Sequence, residues 1–248
     1  METTHTGLIT VLIFVVATLY ASVGHGGASG YLAILSLFAY SPAEMSSTAL
    51  ILNTIVASIA LYTFWRGGHF TWPWNWHCIA VSIPFSFLGG LLAIQSPLYF
   101  ALLALVLLFA AWRLWFSHAT QHQAKTRKPR LSLLLFCCGV MGLVSGMVGV
   151  GGGIFLSPLM ILCHWATPKQ TAATSACFIL ANSLSGLLAR HFNETLTVLD
   201  MWPLILAGGI GSLIGSQLGS YKISSTRLQK LLSVVLVLAA VKMFIKLF

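Results

Sequence analysis

Ser22-Val23-Gly24-His25-Gly26-Gly27-Ala28-Ser29-Gly30 and Ser145-Gly146-Met147-Val148-Gly149-Val150-Gly151-Gly152-Gly153 are two glycine-rich turns set in apolar sequence. Gly24-His25-Gly26-Gly27 answers Gly149-Val150-Gly151-Gly152 at an offset of 125 residues. The likeness continues downstream. Pro42 and Thr48 answer Pro168 and Thr174 at an offset of 126, and Asn53-Thr54-Ile55-Val56-Ala57 answers Asn182-Ser183-Leu184-Ser185-Gly186 at 129. Residues 89–95 answer 211–217 at 122. An offset that drifts by a few residues is the mark of a duplicated chain with small insertions.

Working outward from the turns, ten apolar segments are read at 7–23, 28–40, 43–65, 74–95, 98–116, 131–145, 153–163, 170–190, 201–220 and 227–247. Several are long enough to span, since about 20 helical residues cover the hydrocarbon core. Segments 7–23, 28–40, 131–145 and 153–163 are shorter, and they form two pairs, each joined by a glycine-rich turn. Such a pair is either two spans or one re-entrant hairpin. Both versions return the chain to the side it left.

Five segments per half is an odd number, so equivalent segments cross in opposite directions. The fold class is therefore an all-α polytopic membrane protein built from two inverted-topology repeats, an architecture common among secondary transporters. Residues 1–116 form the first transmembrane repeat, 117–130 a basic cytoplasmic linker and 131–248 the second repeat, together one membrane domain.

Composition agrees. Of 248 residues, 58% are hydrophobic and 7% charged, with a mean hydropathy of +0.91. An ordinary soluble domain carries about 25% charged residues. A soluble enzyme, a DNA-binding module and a disordered chain are excluded, and the long apolar runs are helices rather than barrel strands. The net charge of +9 comes from basic residues between apolar runs, not from a nucleic-acid-binding face. Lys125, Arg127, Lys128 and Arg130 place loop 117–130 in the cytoplasm by the positive-inside rule. Counting crossings outward leaves ten basic residues inside, three (Arg190, Lys242, Lys246) outside, and both termini external. No Lys or Arg precedes the first apolar run, so 7–23 reads as a retained segment rather than a cleaved signal peptide. Trp65, Trp72, Trp74 and Trp76 surround one loop and read as an aromatic belt.

The five cysteines lie in apolar stretches without C-x-x-C or Cys/His ligand spacing, and small apolar side chains are their reading. Adjacent Cys137 and Cys138 leave an intramembrane enzyme or assembly factor as a distant alternative.

The chemistry is expected at the turns. Glycine admits unusual backbone angles and close approach. Irregular backbone at membrane depth survives only where protein buries it or it lines a wet cavity. The run after each turn starts a helix, whose first N–H groups lack intrahelical partners and whose dipole is positive there. Two such ends related by the repeat converge on an anion site, although glycines also serve tight helix packing in membranes. Gly26, Gly27, Gly151, Gly152 and Gly153 would offer backbone N–H groups. Thr48 and Asn53, with Thr174, Ser175, Asn182 and Ser183 in the partner segment, would complete the shell, the two Asn amides donating without charge. His25 is the one titratable group in a turn, either an anion ligand or a proton-coupling group. Arg66 and Arg190 end matching segments and read as helix-end residues at the interface. With no acid or base deep in a segment, carboxylate proton relays and buried cation sites are not expected.

These paired glycine stretches, with Pro168, Thr174-Ser175 and the Asn182 to Gly186 run, resemble the sulfite exporter TauE/SafE family, also called the 4-toluene sulfonate uptake permease family. The resemblance covers nearly the whole chain. It implies a permease or exporter of the bacterial inner (plasma) membrane that moves a small sulfur-containing anion, such as sulfite or an organosulfonate, by alternating access. The alternative is a passive channel for small anions or neutral solutes. The implied partners are the small anionic substrate, the lipid bilayer and a coupling proton or ion. Nucleic acid, metal, cofactor and enzymatic activity are not expected. His25 and Ala28 stand where the second turn has Val150 and Gly153, so the two halves do not share the site identically.

Overall fold

The computed structural model describes residues 2–38, 40–70, 75–92, 96–115, 129–193, 196, 202–221, 234, 236–237 and 240–245. Among these residues the chain is helical between short turns and contains no strand. The helices are α1 (Glu2–Ala21), α2 (Ala28–Leu37), α3 (Pro42–Arg66), α4 (Asn75–Leu91), α5 (Ser96–Trp115), α6 (Leu131–Val148), α7 (Gly153–Leu162), α8 (Pro168–Phe192) and α9 (Trp202–Tyr221). Residues 240–245 are helical too. Most of the basic linker, much of the last apolar segment, Trp72, Trp74 and Gln95 lie outside the described residues.

The two longest helices begin alike. α3 and α8 have 25 residues each, with Pro42 and Pro168 at the first helical position. There the missing proline N–H costs nothing. Ser41 and Glu44 form a complete capping box, and Thr167 and Gln170 form another. At 1.5 Å per residue each helix is about 37 Å long, enough to cross with tilt. α3, α6 and α8 are long and apolar enough to span a membrane. α2 and α7 have 10 residues each, or about 15 Å, half the hydrocarbon core. Of the two other segments read as short, the apolar stretch of α1, Thr6–Ala21, stays below spanning length, whereas 131–145 is corrected: α6 continues through Gly146, Met147 and Val148 to 18 residues.

Many polar residues are buried among the apolar core, and many large apolar residues are exposed. Ser47, Thr48, Asn53, Ser82, Ser86, Ser145, Ser175, Asn182, Ser183, Ser212 and Ser216 are all buried. Leu8, Val11, Leu105, Phe136, Val140, Leu184, Leu188, Leu206 and Ile210 are exposed. In water that arrangement would be unstable; in lipid it places apolar side chains on the solvent side and pairs polar groups within the protein. Trp65 and Trp76, exposed at the α3–α4 connection, fit the aromatic belt.

The most extensive helix contacts join α4 to α6, α1 to α9 and α3 to α8. α4 and α6 run parallel, since Gly142 lies on the Ser82 carbonyl and Gly146 on the Ser86 carbonyl. α1 and α9 do the same, with Gly211, Gly215 and Gly219 on the carbonyls of Phe14, Thr18 and Ser22. Small residues let membrane helices approach backbone to backbone. α3 and α8 run antiparallel: Arg190, near the end of α8, hydrogen bonds Ser46, near the start of α3. Cys78 and Cys138 form a disulfide between α4 and α6. This corrects the reading of every cysteine as a lone apolar side chain; Cys137, Cys163 and Cys177 are free.

Candidate functional site

Both glycine turns end in left-handed backbone. Gly27 has φ 93° and Gly152 φ 77°, and these are the N-caps of α2 and α7. Neither cap carries a side-chain hydrogen bond, in contrast to the full boxes on α3 and α8. The first helical hydrogen bonds are Tyr31 N–H to the Gly27 carbonyl at 3.0 Å and Phe155 N–H to the Gly152 carbonyl at 3.1 Å. The N–H groups between cap and first bond are the orphan donors of a helix start. They are buried here: 26–36 and 148–154 are buried throughout except Phe155's neighbourhood beyond them. A buried, uncapped helix N-terminus leaves donors and a positive dipole end without a partner, and this fold has two.

The turns meet at one place. A Cβ on Gly151 would lie 2.7 Å from Asn53 Nδ2, 2.9 Å from Ile179 Cγ2 and 3.1 Å from Ser183 Oγ. A Cβ on Gly26 would overlap Asn53 Oδ1 and lie 2.9 Å from Ile179 Cγ2. Both turns therefore press against the same two side chains, Asn53 of α3 and Ile179 of α8. A side chain on either glycine would collide with them.

Asn53 is fully buried. Its Nδ2 donates to the Val150 carbonyl at 3.1 Å, tying α3 to the second turn, while its Oδ1 is buried without a partner. Ser183 Oγ and Thr48 Oγ1 are likewise buried and unpartnered. Gly152 lies against Phe178 and Ser145, and Gly153 against Ile179. Five of the sequence-named residues thus converge: Gly26, Gly151, Gly153, Asn53 and Ser183.

Others are placed apart. Asn182 gives both N–H groups to protein, to Ser82 Oγ at 3.1 Å and the Phe178 carbonyl at 2.8 Å, and so fastens α8 to α4. Ser175 shares a 2.7 Å hydrogen bond with Ser157 of α7. Thr174 bonds back to the Gln170 carbonyl at 2.9 Å. His25 is half-buried; its Nδ1 donates to the Val23 carbonyl at 3.0 Å, and its ring stands edge-on to Tyr20.

Asn53 and Asn182 do not hold matching positions. The capping boxes align α3 and α8 at an offset of 126, so Asn53 matches Ile179, and Asn182 matches Val56. Ile179, missed in the sequence, is the residue both turns touch. Tyr31 was missed too: it is fully buried, its hydroxyl is unpartnered, and it packs on Gly27. A tyrosine one turn beyond a glycine cap, in an otherwise apolar run, is a signal that could have been read. Arg190 is corrected most. It is 6% exposed and buried in protein rather than set at the interface.

The model of the sulfite exporter TauE/SafE family matches residues 9–243. The chain belongs to the TauE/SafE family. A probable membrane transporter protein, y4hK, of Sinorhizobium fredii is 35% identical, the match covering 98% of this chain and 99% of that one. A probable membrane transporter protein of Methanocaldococcus jannaschii, MJ0441, is 25% identical over 76% of this chain and 74% of its own. No solved structure matches. TauE/SafE membership and both relatives indicate a membrane transporter rather than an enzyme, and the apolar helices with apolar residues on the outside fit a membrane protein.

Proposed function

We propose that this TauE/SafE chain is a secondary transporter of a small sulfur-containing anion, such as sulfite or an organosulfonate, working by alternating access. It would consist of two inverted-topology repeats, 1–116 and 131–248, in the bacterial inner membrane, with loop 117–130 cytoplasmic and both termini external. The repeat reading is supported by matched helix lengths, matched caps and antiparallel α3 and α8.

The observation that carries the proposal is the meeting of two buried, uncapped helix N-termini at Asn53 and Ile179. The donors there are backbone N–H groups, each helix end carrying roughly half a unit of positive charge. Such ends hold anions without a charged side chain. Gly26, Gly27, Gly151, Gly152 and Gly153 supply the backbone, and Thr48, Asn53 and Ser183 line it. Asn182, Ser175 and Thr174 support the helices around it. His25, facing Tyr20, is assigned to the coupling proton. Burial of every residue at the meeting point favours a carrier over an open pore.

Sulfite uptake into proteoliposomes, with thiosulfate, sulfate and a sulfonate as competitors and an imposed pH gradient, tests the reading. Saturable, competed, gradient-driven flux is expected. Flux that rises linearly with concentration would make the protein a channel, and no flux of any of these anions from folded protein would remove the substrate class.

A further inference from the structure

Arg190 lies in the last turn of α8. It is 6% exposed. Its Nε donates to Ser46 Oγ at 3.2 Å and its Nη1 to the Gly186 carbonyl at 3.3 Å. Both partners are neutral, and Nη2 makes no hydrogen bond among the described residues. Among the described residues no carboxylate pairs with it, and burying a guanidinium on neutral partners is expensive.

The other half of the molecule shows what packing alone requires. By the α3–α8 alignment of 126 residues, Arg190 matches Phe64 and Ser46 matches Ala172. The contacts agree. A Cβ on Gly149, in the second turn, would lie 2.8 Å from Ser46 Cβ, while a Cβ on Gly24, in the first turn, would run into Ala172. Phe64, Ala172 and Ala173 form a buried apolar cluster with Phe70 packed on it. The same place is thus filled by hydrocarbon at one end of the helix pair and by a guanidinium at the other. At the α3 end the basic residue of the last turn, Arg66, is exposed instead, so burial of a guanidinium is particular to Arg190.

We propose that Arg190, braced by Ser46 and the Gly186 carbonyl, is an oxyanion-binding subsite at one mouth of the pathway, matched by an apolar gate of Phe64 and Ala172 at the other. The ligand class is a small oxyanion able to accept from the guanidinium edge at Nη2. Ser46 also abuts Gly149, so the subsite borders the second glycine turn. The subsite rests on the transport reading above and adds to it a buried side-chain charge at the α8 C-terminal end.

The test uses the full-length protein, with sulfite as the probe. Equilibrium binding is followed by tryptophan fluorescence in detergent at low and high ionic strength, alongside uptake into proteoliposomes. Arg190→Gln is expected to weaken sulfite binding about ten- to a hundredfold, the range for a lost hydrogen bond to a charged group, and to abolish the salt dependence of binding. A residue with only a structural role would not carry that salt dependence. Arg190→Lys, which keeps the charge and loses the planar edge, is expected to bind several-fold more weakly than the wild type. Wild-type affinity and salt dependence in Arg190→Gln, with uptake intact, would overturn the subsite and leave the transport reading standing. If Arg190→Gln fails to fold, Arg190→Lys decides, and unchanged affinity there overturns the proposal. Absence of sulfite, thiosulfate, sulfate and sulfonate binding and flux in the wild type would overturn the transport reading and the subsite with it.

Discussion

Gly151→Ala is the most informative single change, because two separable costs act at that position. Gly151 has φ 77°, and holding a residue with a Cβ in left-handed backbone costs about 1–2 kcal/mol. The new methyl would also lie 2.7 Å from Asn53 Nδ2, 2.9 Å from Ile179 Cγ2 and 3.1 Å from Ser183 Oγ. All three neighbours are buried, so relief requires several side chains to move together. Overpacking of this kind adds about 1–3 kcal/mol. Gly68→Ala isolates the first cost. Gly68 has φ 72° with nothing within 4 Å of its added Cβ, so only the backbone penalty applies.

Both variants and the wild type are to be purified in one detergent, melted by circular dichroism and assayed for sulfite uptake. At about 2–4 °C per kcal/mol for a chain of this size, Gly151→Ala is expected to melt about 2–12 °C below Gly68→Ala. Gly68→Ala is expected to keep wild-type flux, and Gly151→Ala to lose it even at temperatures where it is folded. Equal melting temperatures for the two variants would refute the crowding at Asn53 and Ile179. Wild-type flux in Gly151→Ala would refute the placement of the anion there.

Asn53→Leu removes the side-chain donor that holds the Val150 carbonyl; a loss of about 1–3 kcal/mol is expected, with flux abolished, against a loss of stability with residual flux for Asn182→Leu, which breaks the α8–α4 fastening instead. Gly215→Ala drives a methyl into the Thr18 carbonyl across the α1–α9 crossing, where backbone cannot rotate away; denaturation in detergent should show a cost of at least about 3 kcal/mol. Replacing Cys78 and Cys138 by Ala is expected to cost about 2–4 kcal/mol, given the 60-residue separation they close, while sulfite flux persists; lost flux in a folded double variant would give the pair a working role. His25→Gln should leave facilitated sulfite flux but remove its response to a pH gradient, and an unchanged gradient response would take proton coupling away from His25.

The glycine turns were legible because a backbone requirement leaves a direct trace: positive φ favours Gly, and Gly24, Gly27, Gly149, Gly151 and Gly152 all have it. The capping boxes were present in the sequence too, as Ser41-Pro42 to Glu44 and Thr167-Pro168 to Gln170, and with the Pro42–Pro168 and Thr48–Thr174 matches they set the true register of α3 on α8. Matching Asn with Asn pulled the alignment by three residues. On a helix of 3.6 residues per turn, such a slip nearly preserves the face, so the polarity pattern could not expose the error, and Ile179 stayed hidden behind Asn182. Arg190 failed for a different reason. Hydropathy sees a charge near a segment end and places it in water, whereas its burial depends on Ser46, 144 residues away in sequence. The Cys78–Cys138 pairing is equally non-local: a Cα separation of 5.4 Å comes from the α4–α6 crossing, not from spacing along the chain.

The division of charge between centre and mouth has a kinetic logic. A guanidinium 4 Å from a bound monoanion contributes about 4 kcal/mol at an effective dielectric of 20, roughly a thousandfold in dissociation constant. Placed between the glycine turns, such a charge would hold the anion through the conformational change and slow its release on the far side. Transport needs binding favourable enough to enter and weak enough to leave. Two helix ends of about half a charge each share the attraction over several N–H groups, and it falls away when either turn moves. A full charge is tolerable only where it does not have to let go across the membrane, at an entrance. In the subsite reading Arg190 stands at such an entrance, while at the opposite end the charges, Arg66 and Lys169, are exposed around the buried contact of Phe64 with Ala172.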